Sequence, residues 1–143
     1  MASIRLDQVN LVVGDVEASR AFYARLGLDF GARNPEWDAH HISARQGAGA
    51  DLDVDLDSTA FVTDWDRGWP GGTGVVLGFK VESRDEVDRI VSELSAGGVA
   101  VQQPPFDAFW GARYAVVSHP DGHAVGIMSP VDPARRSEHA PPS

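Results

Sequence analysis

At 143 residues, 43% of them hydrophobic, the chain is long enough to bury one core and leaves little room for a second domain. Its net charge of −9, from 21 acidic against 12 basic residues with Lys80 as the single lysine, opposes a phosphate backbone, so no nucleic-acid partner is expected. The absence of cysteine excludes disulfides, thiolate metal sites and a thiol nucleophile.

The opening MASIRLDQVNLVV lacks the apolar core of a signal peptide, and no apolar run approaches the roughly 18 residues of a membrane span. A soluble, cytoplasmic protein without membrane contact is expected. Leu6 to Val13 carries period-2 apolar residues and meets Gly14-Asp15, where a carboxylate can accept bonds from the free N–H groups of a helix start. The helix predicted over Val16 to Leu26 has Phe22, Tyr23 and Leu26 on one apolar stripe, with Gly27 placed for a left-handed cap. Strands are predicted over Leu28 to Ala32, Trp37 to Arg45 and Asp51 to Asp57. Ser58 to Thr73 has no clear period and contains the turn signal Pro70-Gly71-Gly72, which suits a linker and part of a cavity rim.

Strand and helix then return. Val75 to Glu82 is followed by Ser83-Arg84-Asp85-Glu86, a capping box in which Ser83 and Glu86 satisfy each other's backbone donors. The next helix carries Val87, Ile90, Val91 and Leu94 and closes on Gly97-Gly98. Strands follow over Val99 to Gln103, Ala112 to Ser118 and Ala124 to Met128. The last segment, 131–143, has three prolines, charges and no apolar period, as in a mobile tail. Asp15 and Ser83, Phe22 and Ile90, Tyr23 and Val91, and Leu26 and Leu94 are each 68 residues apart, so cap and stripe repeat in register. The expected fold is α+β: two βαβββ modules, about 4–57 and 74–130, joined by the linker 58–73 in one domain.

In DQVNLVVGDVEASRAFYARLG, FKVESRDEVDRIVSELSAGGV and HPDGHAVGIMSP the chain resembles the vicinal-oxygen-chelate superfamily of glyoxalases, bleomycin-resistance proteins and extradiol dioxygenases, over about residues 4–130. The resemblance implies curved mixed sheets around a concave cavity, with helices outside and ligands on the concave face. It also implies a metal held by one residue from the first and one from the last strand of each module. Here those positions are Gln8, Val76 and Gly126, and only Asp53 or Asp55 keeps an acid. One carboxylate does not supply the three or four N/O donors that Zn, Ni, Fe or Mn requires. The implied role is therefore a metal-free, cofactor-free binding protein for an apolar or aromatic small molecule, as in antibiotic sequestration. The alternative is a lyase, isomerase or dioxygenase-like enzyme, and a homodimer is expected under either reading.

Individual candidates carry two readings each. Asp51, Asp53, Asp55 and Asp57 alternate with Leu52, Val54 and Leu56, as a cavity wall holding a carboxylate for acid/base work or as a solvated strand end. If Ile42 faces the helices, His41 faces the cavity with Trp37, Ser43 and Arg45, as a general base or as a hydrogen-bonding wall residue. A one-residue slip would put His40 there instead. His119 and His123 flank the turn Pro120-Asp121-Gly122. Trp37, Trp65, Trp69, Phe106, Phe109 and Trp110 fall in rim segments, where rings either stack on a flat ligand or plug loops. Arg113 either binds an anionic oxygen or pairs with a nearby acid. Nucleophile triads, phosphate loops and dinucleotide fingerprints are not detectable.

Overall fold

The computed structural model describes residues 4–44 and 52–142; Arg45 and Asp51 lie outside them. The elements are β1 (Arg5–Val13), α1 (Val16–Ala24), β2 (His41–Ala44), β3 (Asp53–Ser58), α2 (Val62–Trp65), β4 (Gly74–Lys80), α3 (Arg84–Ala96), β5 (Val101–Asp107), β6 (Arg113–Ser118) and β7 (Ala124–Met128). The strands form one seven-stranded mixed sheet in the order β2-β3-β1-β4-β7-β6-β5. β1 and β4 run antiparallel at its centre, and each pairs in parallel with the last strand of its own module, β3 or β7. The two halves are thus arranged alike about the β1/β4 seam, as the 68-residue repeat requires.

Both helix starts are capped where the sequence places them. Asp15 accepts from Ala18 N at 2.9 Å, and Ser83 accepts from Glu86 N at 3.2 Å. The reciprocal half of the predicted box is not made, because the Glu86 carboxylate is taken by Arg89 at 2.6 and 2.9 Å. α3 buries Val87, Ile90 and Val91 against Val81, Ala115, Val117 and Ile127. α1 departs from its predicted stripe: Phe22 and Leu26 are exposed, while Val16 and Arg20 are buried. Arg20 donates to Gly31 O at 3.0 Å and lies 3.7 Å from Asp38, which ties helix to loop by polar contacts.

Two strand expectations change. Leu28 to Ala32 is reduced to an isolated bridge at Asp29, because Gly31 turns at φ +70° and its carbonyl is drawn to Arg20. Residues 37–40 form a turn, with Asp38 N bonded to Asn34 O and His41 N to Trp37 O, both at 2.9 Å, so that β2 begins at His41. In the second module β5 starts two residues late and runs on through Pro104 and Pro105, which an edge strand tolerates because no partner needs their missing N–H.

The segment 58–73 is more than a linker. Phe61, Val62 and Trp65 are buried with Val12, Val76, Tyr114, Val116 and Ala124, the residues that β1, β4, β6 and β7 present on the face opposite α1 and α3. α2 therefore fills the open face over the second module and leaves it open over the first. Residues 131–142, expected as a mobile tail, lie back over the loop before β6: Asp132 N bonds Gly111 O at 2.9 Å and Ser137 N bonds Phe109 O at 3.0 Å. Gly111, at φ +99°, lets Asp132 O approach its backbone where a side chain would block it.

Within the filled half, a Cβ built on Gly126 would fall onto Tyr114 Oη and within 3.0 Å of Cζ. Tyr114 is buried and β7 is pinned on both sides, so neither neighbour can yield easily. Gly126→Ala is expected to destabilise the fold by roughly 1–3 kcal/mol through overpacking, read as a lower midpoint in urea unfolding. An unchanged midpoint would show that the Tyr114 ring moves freely.

Candidate functional site

The half of the open face that α2 leaves uncovered is a cavity of about 710 Å³. Strand alternation decides its floor. β1 sends Gln8 and Asn10 into it, β3 sends Asp53, Asp55 and Asp57, and β2 sends His41 and Ser43, while Leu56 and Ile42 point to the helix side with Val16. The register sets His41 opposite Asp57 and Ser43 opposite Asp55. Trp37, Phe61, Phe109 and Trp110 wall the cavity, and Lys80 supplies a cation at one end.

The floor is a continuous polar chain. Gln8 Nε2 donates to Asn10 Oδ1 and to Asp55 Oδ2, both at 2.8 Å. Asn10 Nδ2 donates to Asp57 Oδ2 at 2.9 Å, and His41 Nδ1 meets Asp57 Oδ1 at 2.5 Å. Asp57 is 1% exposed, so both of its oxygens have partners in a place where an unpaired charge would be costly. Burial works against charge on the His41 imidazole. The hydrogen bond and charge of Asp57, joined by the charge of Asp55, outweigh it and raise the pKa to about 8. Burial pushes the Asp55 carboxyl up to about 6; attraction to His41 and the Ser43 hydroxyl oppose that rise, and repulsion from Asp57 and Asp53 adds to it. At neutral pH the floor therefore favours an imidazolium at His41, held against Asp57 and near Asp55.

The structure brings together Gln8, Trp37, His41, Asp53, Asp55, Phe109 and Trp110 and separates two other candidates from them. Trp69 lies outside the cavity: its Nε1 donates to Gly72 O at 3.0 Å and its ring packs against Gly74. Arg113 is at the other face, because its position in β6 is opposite in phase to Tyr114. It reaches Asp88 at 3.1 Å and Asp107 at 3.3 Å beside a shallow groove against α3. His40 bonds Ser58 Oγ at 2.8 Å and does not line the cavity. His119 and His123 face each other across their turn, with ring centroids 5.7 Å apart. Asp57, one of the row of alternating aspartates, is joined in the site by Asn10 and Phe61, which no sequence motif marks. Period-2 spacing from Gln8 points to Asn10, and spacing from Asp53 to Asp57; nothing local points to Phe61.

A residue from the far end of the chain packs against the aromatic wall. His139 stacks on Phe109 with centroids 4.0 Å apart and planes 6° apart, and its Nε2 meets Asp64 Oδ2 at 2.9 Å. Trp37 lies 6.4 Å from Phe109 and 6.3 Å from His139, nearly parallel to both.

The three positions implied for metal ligands do not fit a metal. Val76 is a buried alkyl group, and Gly126 has no donor and its side-chain space is taken by Tyr114, which leaves the neutral Gln8 amide oxygen as the one side-chain donor of the three. Among the described residues, no group of three His, Asp or Glu side chains is placed to hold an ion, and no helix is long and apolar enough to cross a membrane.

Comparison with known proteins finds no match among the curated proteins. Several solved structures share the fold. The chain is 23% identical to a protein from Legionella pneumophila described as an NAD-dependent benzaldehyde dehydrogenase, covering 85% of this chain and 96% of that one, with TM-score 0.61. It is 22% identical to a Mn(II)-bound glyoxalase from Novosphingobium aromaticivorans (98% of this chain, 44% of that one, TM-score 0.64). It is 19% identical to an H200Q variant of homoprotocatechuate 2,3-dioxygenase from B. fuscum (92% and 34%, TM-score 0.64), so it spans under half the length of these last two. Residues 5–127 match the family model, and the chain belongs to the Glyoxalase/Bleomycin resistance protein/Dioxygenase superfamily.

Proposed function

We propose that the protein binds a small, flat, neutral or cationic organic molecule in the cup, without a metal, in the manner of the sequestering members of its superfamily. The observation that carries this reading is the pairing of an aromatic wall, Trp37, Phe61, Phe109 and Trp110, with a hydrogen-bonded floor in a cavity of about 710 Å³. That volume suits a drug-sized ligand, and rings at a mouth supply contact area at little entropic cost. Five aspartates, Asp7, Asp38, Asp53, Asp55 and Asp57, against Lys80 and a cationic His41 disfavour an anionic ligand. Gln8 and His41 are the polar contacts, and Trp37, Phe109 and Trp110 the stacking ones. Trp69 and Arg113 have no part in it.

Leu6, Val75 and Leu77, exposed on central strands, support a homodimer formed over that seam. The acidic, cysteine-free composition is compatible with a cytoplasmic setting.

Titration with the planar acridine cation proflavine, followed by tryptophan fluorescence, is expected to give saturable quenching in the micromolar range. Trp37→Ala is expected to weaken it about 5- to 30-fold, on the scale of one lost stacking contact. No quenching, or equal affinity in the variant, would contradict the assignment. The floor has its own test in the NMR titration of the His41 ring. Its midpoint is expected near 8 in the wild type. Replacing Asp57 by Asn removes the two largest raising influences and leaves burial, which lowers a histidine pKa, opposed by the charge of Asp55, so the midpoint should fall well below 8. An unshifted midpoint would show that Asp57 does not control His41.

A further inference from the structure

We propose that His41, held by Asp57, is a proton-transfer residue that removes and returns a proton on a carbon beside the carbonyl group of a flat, neutral ligand in the cup. This goes beyond binding, although it rests on the cup being the ligand site. The 2.5 Å contact of Nδ1 with Asp57 Oδ1 fixes how the ring is turned and leaves Nε2 as the free nitrogen. The His41 side chain is 35% exposed and lines the cavity, whereas Asp57 is sealed beneath it at 1%.

A histidine serving only as a wall does not require a buried carboxylate with both oxygens engaged. The fold holds one by spending Asn10, another floor residue, on its second oxygen. The result is a base with an orienting acid behind it and a cavity in front, the arrangement that general acid–base catalysis requires.

The surroundings define the substrate. Among the described residues, the charged groups that line the cavity with the ring are Asp57 and Asp55 beneath it, Asp53 further along β3, Asp7, Asp38 and the cation Lys80. Negative neighbours strengthen the base and repel anionic substrates. Among the described residues that line the cavity, Lys80, 3.6 Å from Asp7, is the fixed cation available to a developing enolate oxygen. Phe61, 5.6 Å from the His41 ring, and Trp37 bound the space in which a planar ketone would lie.

In the step itself, the ring that has lost its Nε2 proton, the form that prevails above a pH of about 8, takes the proton from carbon on Nε2. The C–H electron pair moves into the carbon–carbon bond, and the carbonyl oxygen gains the charge. Reprotonation at carbon restores the ketone, with no net oxidation and no other reactant.

Indan-2-one in deuterium oxide tests this, with loss of its methylene signal followed by proton NMR and its binding followed by tryptophan quenching. The wild type is expected to catalyse exchange that saturates with ketone. His41→Gln should be about 100-fold slower, and His41→Gly should be partly rescued by added imidazole. Asp57→Asn, which removes the positioning residue, should slow exchange and move its pH midpoint downward. Should the His41 variants fail to fold, carbethoxylation of the wild type by diethyl pyrocarbonate, with abolition of exchange on modification of His41, gives the same answer. Binding of the ketone with equal exchange in the wild type and His41→Gln, or in modified and unmodified protein, would overturn the proton-transfer proposal and leave the binding reading standing. Neither binding nor exchange above the solvent rate would overturn both.

Discussion

A carboxylate taken out of water costs several kcal/mol unless partners replace its hydration, and Asp57 is nearly sealed from solvent. Asn10 from β1 and His41 from β2 supply those partners, one on each oxygen. Since Asp57 sits on β3, this one group ties three strands together and fixes their relative register. A slip of one residue along β2 would turn His41 toward the helices and leave the buried charge without its cation. The same group sets the charge state of His41 and, through the shared field, contributes to the raised pKa of Asp55. The order of the floor and its electrostatics thus have a common origin.

The two modules repeat in topology but have diverged on their inner faces. In the first, β1 and β3 present amide and carboxylate side chains to an open cavity. In the second, the corresponding face is occupied by Val76, Tyr114 and Val116 under the α2 segment, and Gly126 is the space into which the Tyr114 hydroxyl fits. A glutamate at Gly126 or a histidine at Val76 would have to displace that packing. The divergence that removes the metal donors is therefore the one that builds half of the hydrophobic core. Among the described residues no donor set supports metal-dependent electrophilic stabilisation, and the hydrogen-bonded polar floor of the cup belongs to the first module.

Local signals made much of this readable in the sequence. Period-2 patterning gives β1 and β7, the caps at Asp15 and Ser83 give both helix starts, and the 68-residue repeat gives the paired topology. Alternation from Ile42 gives the facing of His41 even though the strand proves shorter than predicted. Features set by distant contacts are not readable in this way. Phe61, Val62 and Trp65 lie in a stretch with no period, and their burial depends on the face of a sheet formed by other segments. Phe22 and Leu26 carry a helix stripe yet stay exposed, because the α1 interface is made by Val16, Tyr23 and the polar ties of Arg20. Arg113 precedes a cavity residue by one position, and strand alternation sends it to Asp88 on α3. The stacking of His139 on Phe109 joins residues 30 apart in a segment whose composition suggests no order at all.

The central claim is that the cup works through its own hydrogen-bonded floor and not through a coordinated ion. Metal content by mass spectrometry tests this most directly, after incubation with excess Zn, Ni, Mn and Fe(II) and removal of unbound metal by gel filtration. The account predicts far less than about one metal per chain, with no difference between the wild type and Asp55→Asn. About one metal per chain, lost in Asp55→Asn, would contradict it and return the protein to the metal-dependent chemistry of its superfamily.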